Sequence, residues 1–177
     1  MPEPDDHAVA RLLAEEAGER LLALRSAGNR AGDSAWALRD EGDRTGHRFL
    51  VERLAELRPA DAVLSEEGDE RGGPLGEGRL AVRRVWIVDP LDGTREFGEP
   101  GREDWAVHVA LAVDGVPVVG AVALPARGLV LGTEPPEPLP PAPTGPIRIV
   151  VSRSRPPSVA RRVAAALGAE LVPLGSA

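Results

Sequence analysis

Within the 177 residues, the run Asp89-Pro90-Leu91-Asp92-Gly93-Thr94 holds the side chains best placed for chemistry: two carboxylates three positions apart, directly after the apolar stretch Val85-Trp86-Ile87-Val88. Proline fixes the backbone between them, and turn geometry can point both carboxylates inward. Hard divalent cations such as Mg2+ take oxygen ligands in near-octahedral arrangement. A turn of this kind supplies Asp89, Asp92 and a backbone carbonyl, that of Leu91, which accounts for a leucine at that position. Gly93 permits close approach of the backbone, and Thr94 is placed to cap a short helix whose first N–H groups would face a phosphate. A lone Asp-Gly pair is most often only a turn. The full hexapeptide behind a hydrophobic strand asks for more.

Other acidic residues offer themselves as partners. Leu64-Ser65-Glu66-Glu67 follows a short β-rich run, and because side chains alternate along an extended segment, one of its glutamates should face the site. Asp40, Glu41 and Asp43 are expected at the start of a second helix, where the helix dipole favours acids whatever their function; that suffices for Asp40 and Glu41. His7, His47 and His108 are scattered, with no zinc-like spacing and no base near the acidic turn, and are read as structural. Arg95, next to the turn, suits a phosphate contact or simple solvation equally.

The elements that must position these groups are legible in outline. Val9, Leu13, Ala17, Leu21 and Leu24 recur at helical spacing over 5–26, with Asp5 or Asp6 as N-cap and Gly28 closing the helix. Leu50, Leu54 and Leu57 predict a second helix over 43–57, with Asp43 at its start and Pro59 just beyond. Short strands are expected at 62–64 and 85–88, each running into acidic residues. Asp114-Gly115 predicts a hairpin between strands at 105–113 and 116–124, with a third antiparallel strand at 128–132. Residues 133–146 carry too much proline for regular structure and read as an extended connector. A strand at 147–151, a helix at 157–167 and a strand at 170–172 come next, in the order of a βαβ unit.

Composition bounds the function. A 42% hydrophobic content suits one globular unit, and the absence of cysteine leaves oxygen or imidazole as the available metal donors. The acidic start has no secretory leader pattern, and a reducing cytoplasm fits a cysteine-free chain. The apolar region 105–131 is broken by turns and reads as strands, not a membrane span. The net charge is -7, and the 21 basic residues are all arginines spread along the chain, so neither a nucleic-acid polymer nor a membrane is an expected partner. A small anionic substrate can bind such a chain when divalent cations bridge it to carboxylates.

The run from Trp86 to Phe97 (Trp-Ile-Val-Asp-Pro-Leu-Asp-Gly-Thr-Arg-Glu-Phe), preceded by Leu64-Ser65-Glu66-Glu67, resembles the paired signature of the inositol monophosphatase-like family. The Leu64-Ser65-Glu66-Glu67 form, Arg95-Glu96-Phe97 and the later Val151-Ser152-Arg153-Ser154 are most similar to its 3'(2'),5'-bisphosphate nucleotidase branch, which dephosphorylates 3'-phosphoadenosine 5'-phosphate. The resemblance implies a layered αβαβα sandwich of the inositol monophosphatase and fructose bisphosphatase kind. It also implies two or three Mg2+ ions held by Glu66, Asp89, Asp92 and the Leu91 carbonyl, with Asp43 and Thr94 orienting the attacking water. Glu66, Asp92, Gly93, Thr94 and Arg95 would contact the substrate, as would Gly175 and Ser176, which look like the start of the family's Gly-Ser segment. Hydrolysis would be direct and in-line, one metal acidifying the water and another stabilising the leaving alkoxide, with no phosphoenzyme.

By the same resemblance the chain divides into a metal-binding α+β part (1–132), the connector (133–146) and the start of a C-terminal α/β part (147–177). Family members continue to a Trp-Asp motif, so the fold is expected to be incomplete at its C-terminal side. Inositol monophosphatase or sugar phosphatase activity, and a truncated homologue that binds metal without turnover, stand as alternatives; a homodimer stays open. A haloacid-dehalogenase-type phosphatase fits poorly, because two residues separate Asp89 from Asp92 and the chain has no lysine.

Overall fold

The structure is a computed structural model, and it describes residues 5–32, 34–66, 82–136, 138–139 and 141–175. Helix α1 (Asp6–Ala31) is capped by the Asp5 carboxylate, which accepts the Ala8 N–H at 2.7 Å, and ends at Gly32. It therefore runs through Gly28, the expected stop. Val9, Ala10, Leu13, Ala14, Ala17 and Leu21 are fully buried, so the helical periodicity marks the face that meets the sheet. Helix α2 (Ala35–Leu57) begins eight residues before the expected start, where the Ser34 hydroxyl accepts the Ala37 N–H at 3.1 Å. Asp43 consequently sits mid-helix. Asp40 and Glu41 are also too far inside α2 for its dipole to explain them; both pair with Arg44 on the exposed side.

Gly42 and Gly46 weaken a helix when read from sequence alone, yet they are the residues that let α2 lie against the acidic segment. A Cβ on Gly42 would stand 2.8 Å from the Phe97 ring and 2.9 Å from Leu91 Cδ2, and one on Gly46 would stand 3.0 Å from the Pro90 carbonyl oxygen.

The strands β1 (Ala62–Ser65), β2 (Arg84–Asp92), β3 (Ala106–Val113), β4 (Val116–Leu124) and β5 (Leu129–Gly132) form one sheet in chain order. β1 and β2 run parallel and the other neighbours antiparallel. Asp114 and Gly115 both take positive φ, 51° and 78°, as a two-residue hairpin turn demands. Every second residue of β2 and β3, with Trp86 opposite Leu111 and Val88 opposite Val109, is buried against α1 and α2. The opposite sheet face is more open: Ile87 keeps 41% of its surface exposed.

Polar bonds pin the start of β2. Arg84 reaches both Asp61 and Asp6 at 2.9 Å, Arg58 reaches Asp6 at 2.9 Å, and the Trp86 indole N–H donates to Asp61 at 2.9 Å. After β2 comes the short α3 (Thr94–Phe97), whose Phe97 ring meets Trp105 edge-on at 5.0 Å. The buried Arg25 side chain of α1 donates to the carbonyls of Glu99 and Arg102 and fixes the loop beyond α3.

Among the described residues between Gly132 and Arg148 there is no helix or strand. β6 (Arg148–Ser152), α4 (Ser158–Leu167) and β7 (Glu170–Leu174) then form the expected βαβ unit, with β6 and β7 parallel. Arg153 joins that unit to α3 by bonding Glu96 at 2.7 Å, and just past β7 the Gly175 N–H donates to Asp104, in the loop beyond α3, at 2.9 Å. Among the described residues, no helix is long and apolar enough to cross a membrane.

Gly42→Ala pits a helix-propensity gain of about 1 kcal/mol against an overpacking cost of about 1–3 kcal/mol. The clash should win and lower the thermal midpoint. A raised midpoint in a melting curve would mean that Phe97 and Leu91 can repack and that the contact is not a constraint.

Candidate active site

In a regular strand, residues i and i+3 point to opposite faces. Asp89 shares the open face with Ile87, so Asp92 would be expected on the helix side beside Trp86 and Val88. The strand is not regular there. Asp89 pairs with His108 and Asp92 with Ala106, so three steps of β2 match two of β3. This one-residue bulge, at a proline that cannot donate to the ladder, returns Asp92 to the face of Asp89. The acidic motif is thus a bulged strand end rather than the turn its sequence suggests, and the bulge is what makes the two carboxylates neighbours.

Glu66 joins them from β1. Its N–H donates to the Val88 carbonyl at 3.1 Å, which brings the end of β1 beside Asp89. The three carboxylates line one open cleft of about 570 Å3 with Leu64, Ser65, Ile87, Val88, His108 and Ala110. Burial pushes the Asp89 carboxyl up, and the hydrogen bond and charge of Glu66 and the charge of Asp92 push it further, against the Leu91 N–H that donates to it at 3.1 Å. It titrates near about 7 instead of its ordinary 3.8. Burial is the larger cause and the crowding of negative charge adds to it; a divalent cation relieves that crowding, and the carboxylate donors, all hard oxygen, suit such an ion.

His108 corrects the sequence reading. It is not a bystander: Nε2 lies 3.2 Å from Asp92 Oδ2, and one donor atom each from Asp89, Asp92 and His108 fall within 4.8 Å of one another. The bond to Asp92 raises the imidazole's pKa, against the lowering effect of burial. Its position in the sequence, mid-strand and remote from the motif, gives no signal; the register of β3 against β2 places it. His47 and His7 are held elsewhere, bonding the Ser65 and Thr133 hydroxyls at 2.8 and 3.0 Å.

Thr94 also differs from expectation. Gly93, with φ 80°, takes the cap position of α3 without a side-chain bond. The Thr94 hydroxyl instead donates toward the Leu91 carbonyl at 2.9 Å, with Asp43 Oδ1 3.3 Å away. Asp43, Thr94 and Leu91 therefore form a second polar group beside the carboxylates, reached only because α2 packs so closely.

Arg95 and Gly175 lie apart from the acidic cleft. They line a second cleft of about 430 Å3 with Glu96, Ser152, Arg153 and Ser154. Arg95 pairs with Glu99 at 3.3 Å. Glu67 and Ser176 lie outside the described residues.

Comparison with known proteins decides the family, because residues 5–134 match the inositol monophosphatase family. The chain belongs to that family. It is 44% identical to the 3'-phosphoadenosine 5'-phosphate phosphatase of Mycobacterium leprae, over 97% of this chain and 65% of that protein. To the protein of the same name from Mycobacterium bovis it is 48% identical, over 72% of this chain and 49% of the relative. This inositol monophosphatase family chain thus spans 49% to 65% of the length of those relatives. Its fold matches the crystal structure of CysQ from Bacteroides thetaiotaomicron, with a TM-score of 0.69, 25% identity, and coverage of 94% of this chain and 72% of that one.

The crowded carboxylates have a stability signature. Because the folded pKa of Asp89 lies above the unfolded value, the folded chain holds a proton that the unfolded chain sheds between about pH 4 and 7. Stability of the metal-free protein should fall as pH rises across that window, and the deficit should persist above it. In melts with a chelator, Asp89→Asn should raise the midpoint by several degrees at pH 8 and leave it unchanged at pH 4. Equal midpoints at pH 8 would contradict this.

Proposed function

We propose that this chain carries the metal-binding half of a Mg2+-dependent phosphomonoesterase whose substrate is 3'-phosphoadenosine 5'-phosphate, released as AMP and phosphate. The observation that carries the reading is the convergence of Glu66, Asp89 and Asp92 on one strand edge, with the Thr94–Asp43 pair beside them. The names of the relatives matched over most of the chain favour this substrate.

Glu66, Asp89, Asp92 and the Leu91 carbonyl would hold two or three Mg2+ ions. When bound, Mg2+ supplies the positive charge that neutralises phosphate oxygens and acidifies a nearby water. With the Leu91 carbonyl facing an ion, the Thr94 hydroxyl would turn its proton to Asp43 and keep a lone pair to accept a hydrogen bond from the attacking water and aim it at phosphorus. Asp43 holds that hydroxyl in orientation. Gly93, with no side chain, lets the phosphate approach the backbone. Arg95 and Gly175, at the second cleft, contact the remainder of the substrate, and the product leaves without a covalent enzyme adduct.

Phosphate release from 3'-phosphoadenosine 5'-phosphate, with inositol 1-phosphate in parallel, tests the reading. Release should require Mg2+ and fall by at least about a hundredfold in Asp92→Asn, the scale of losing one electrostatic contact to the transition state. Faster turnover of inositol 1-phosphate would shift the substrate assignment within the family. Silence on both substrates, with Mg2+ still binding, would make this chain a metal-binding homologue without turnover.

A further inference from the structure

The imidazole of His108 is a donor that the proposed set of oxygen ligands does not include. It stands directly opposite Asp89 in the β2–β3 ladder and reaches Asp92, the next ligand of the bulged strand. A six-coordinate ion about 2.1 Å from each donor separates adjacent donors by about 3 Å and opposite ones by about 4.2 Å. The 3.2 Å between His108 Nε2 and Asp92 Oδ2 is already an adjacent edge of such a polyhedron, and all three donor atoms lie within 4.8 Å. Bringing the widest pair, within 4.8 Å, to the opposite-donor separation of about 4.2 Å takes a contraction of roughly half an ångström. Strand β3 is anchored on both sides by its neighbours in the sheet, so the ring does not have to be recruited from a loop.

We propose that His108 is a nitrogen ligand of the acidic centre, which makes that centre selective for borderline ions such as Zn2+ over Mg2+ beyond what its carboxylates provide. Carboxylates and carbonyls suit Mg2+, whereas imidazole suits zinc and its neighbours. With the ring's proton on Nδ1, Nε2 turns its lone pair to the ion and exchanges its hydrogen bond with Asp92 for a shared cation. Because the cysteine-free chain offers no thiolate, the nitrogen of His108 is the softest donor at this cleft. The ion most effective in holding the site and the ion that best serves phosphate chemistry then differ, and zinc becomes a competitor for the magnesium position.

This rests on the metal-centre reading above, and calorimetric titration of Mg2+ and Zn2+ separates the two. In the unaltered chain both ions should bind. In His108→Asn, which keeps a neutral side chain able to bond Asp92, Zn2+ affinity should fall at least tenfold while Mg2+ affinity changes less than threefold. Equal weakening of both ions, or none, would overturn the ligand role and leave His108 as a group that only orients Asp92. Failure of both ions to bind the unaltered chain would remove the metal centre itself. Asp89→Asn, which should weaken both ions together, and a circular dichroism spectrum of each variant separate donor loss from misfolding.

Discussion

Like charges must be brought together and kept there, and the constraint on which this structure depends is the single extra residue in β2 that does so. Without the bulge, Asp92 would point into the apolar layer beneath the sheet, where an unpaired carboxylate is costly. With it, two aspartates share one face and Glu66 arrives from the neighbouring parallel strand. Burial, with the repulsion among them added, pushes the Asp89 carboxyl up to about 7. The remaining architecture holds the strand against that repulsion. Arg84, Asp6, Asp61 and Arg58 fasten its beginning, the buried Trp86 and Val88 fasten its middle, and Phe97 against Trp105 fastens the segment beyond its end.

Much of this is legible in the residues, and the misses have physical causes. Local signals read well. The Asp114-Gly115 hairpin needs positive φ at both positions and finds residues that tolerate it. The α1 stripe and the βαβ unit obey their periodicities. The start of α2 escapes the reading because its cap is Ser34 and the apolar stripe Leu50, Leu54 and Leu57 marks only its later turns; Gly42, which weakens a helix, lies inside it where the contact with Leu91 and Phe97 leaves no room for a side chain. Gly28 misleads in the same way, since a glycine ends a helix only when the chain turns there.

The site divides similarly. Asp89 and Asp92 stand out as candidates by their type and spacing, whereas the choice of Glu66 over Glu67 comes from the family resemblance. His108 cannot be named that way, because its place depends on the register between two strands, which no local pattern encodes. A general preference gives Thr94 a capping bond, and the structure commits its hydroxyl to Leu91 and Asp43 instead. Both misses include a partner distant in sequence, Asp92 for His108 and Asp43 for Thr94.

The bare face of α2 has a mechanical consequence. Gly42 and Gly46 flank Asp43, and at both the helix rests on the acidic segment with no side chain between as a cushion. The spacing of Asp43 from Thr94 is therefore set by helix backbone bearing on Pro90, Leu91 and Phe97, which cannot hop between rotamers as a leucine or methionine spacer on the helix would. Thermal motion of side chains blurs most distances in a protein by tenths of an ångström. Here α2 acts as a hard gauge block, and the tolerance of the Asp43–Thr94 distance is that of the helix itself.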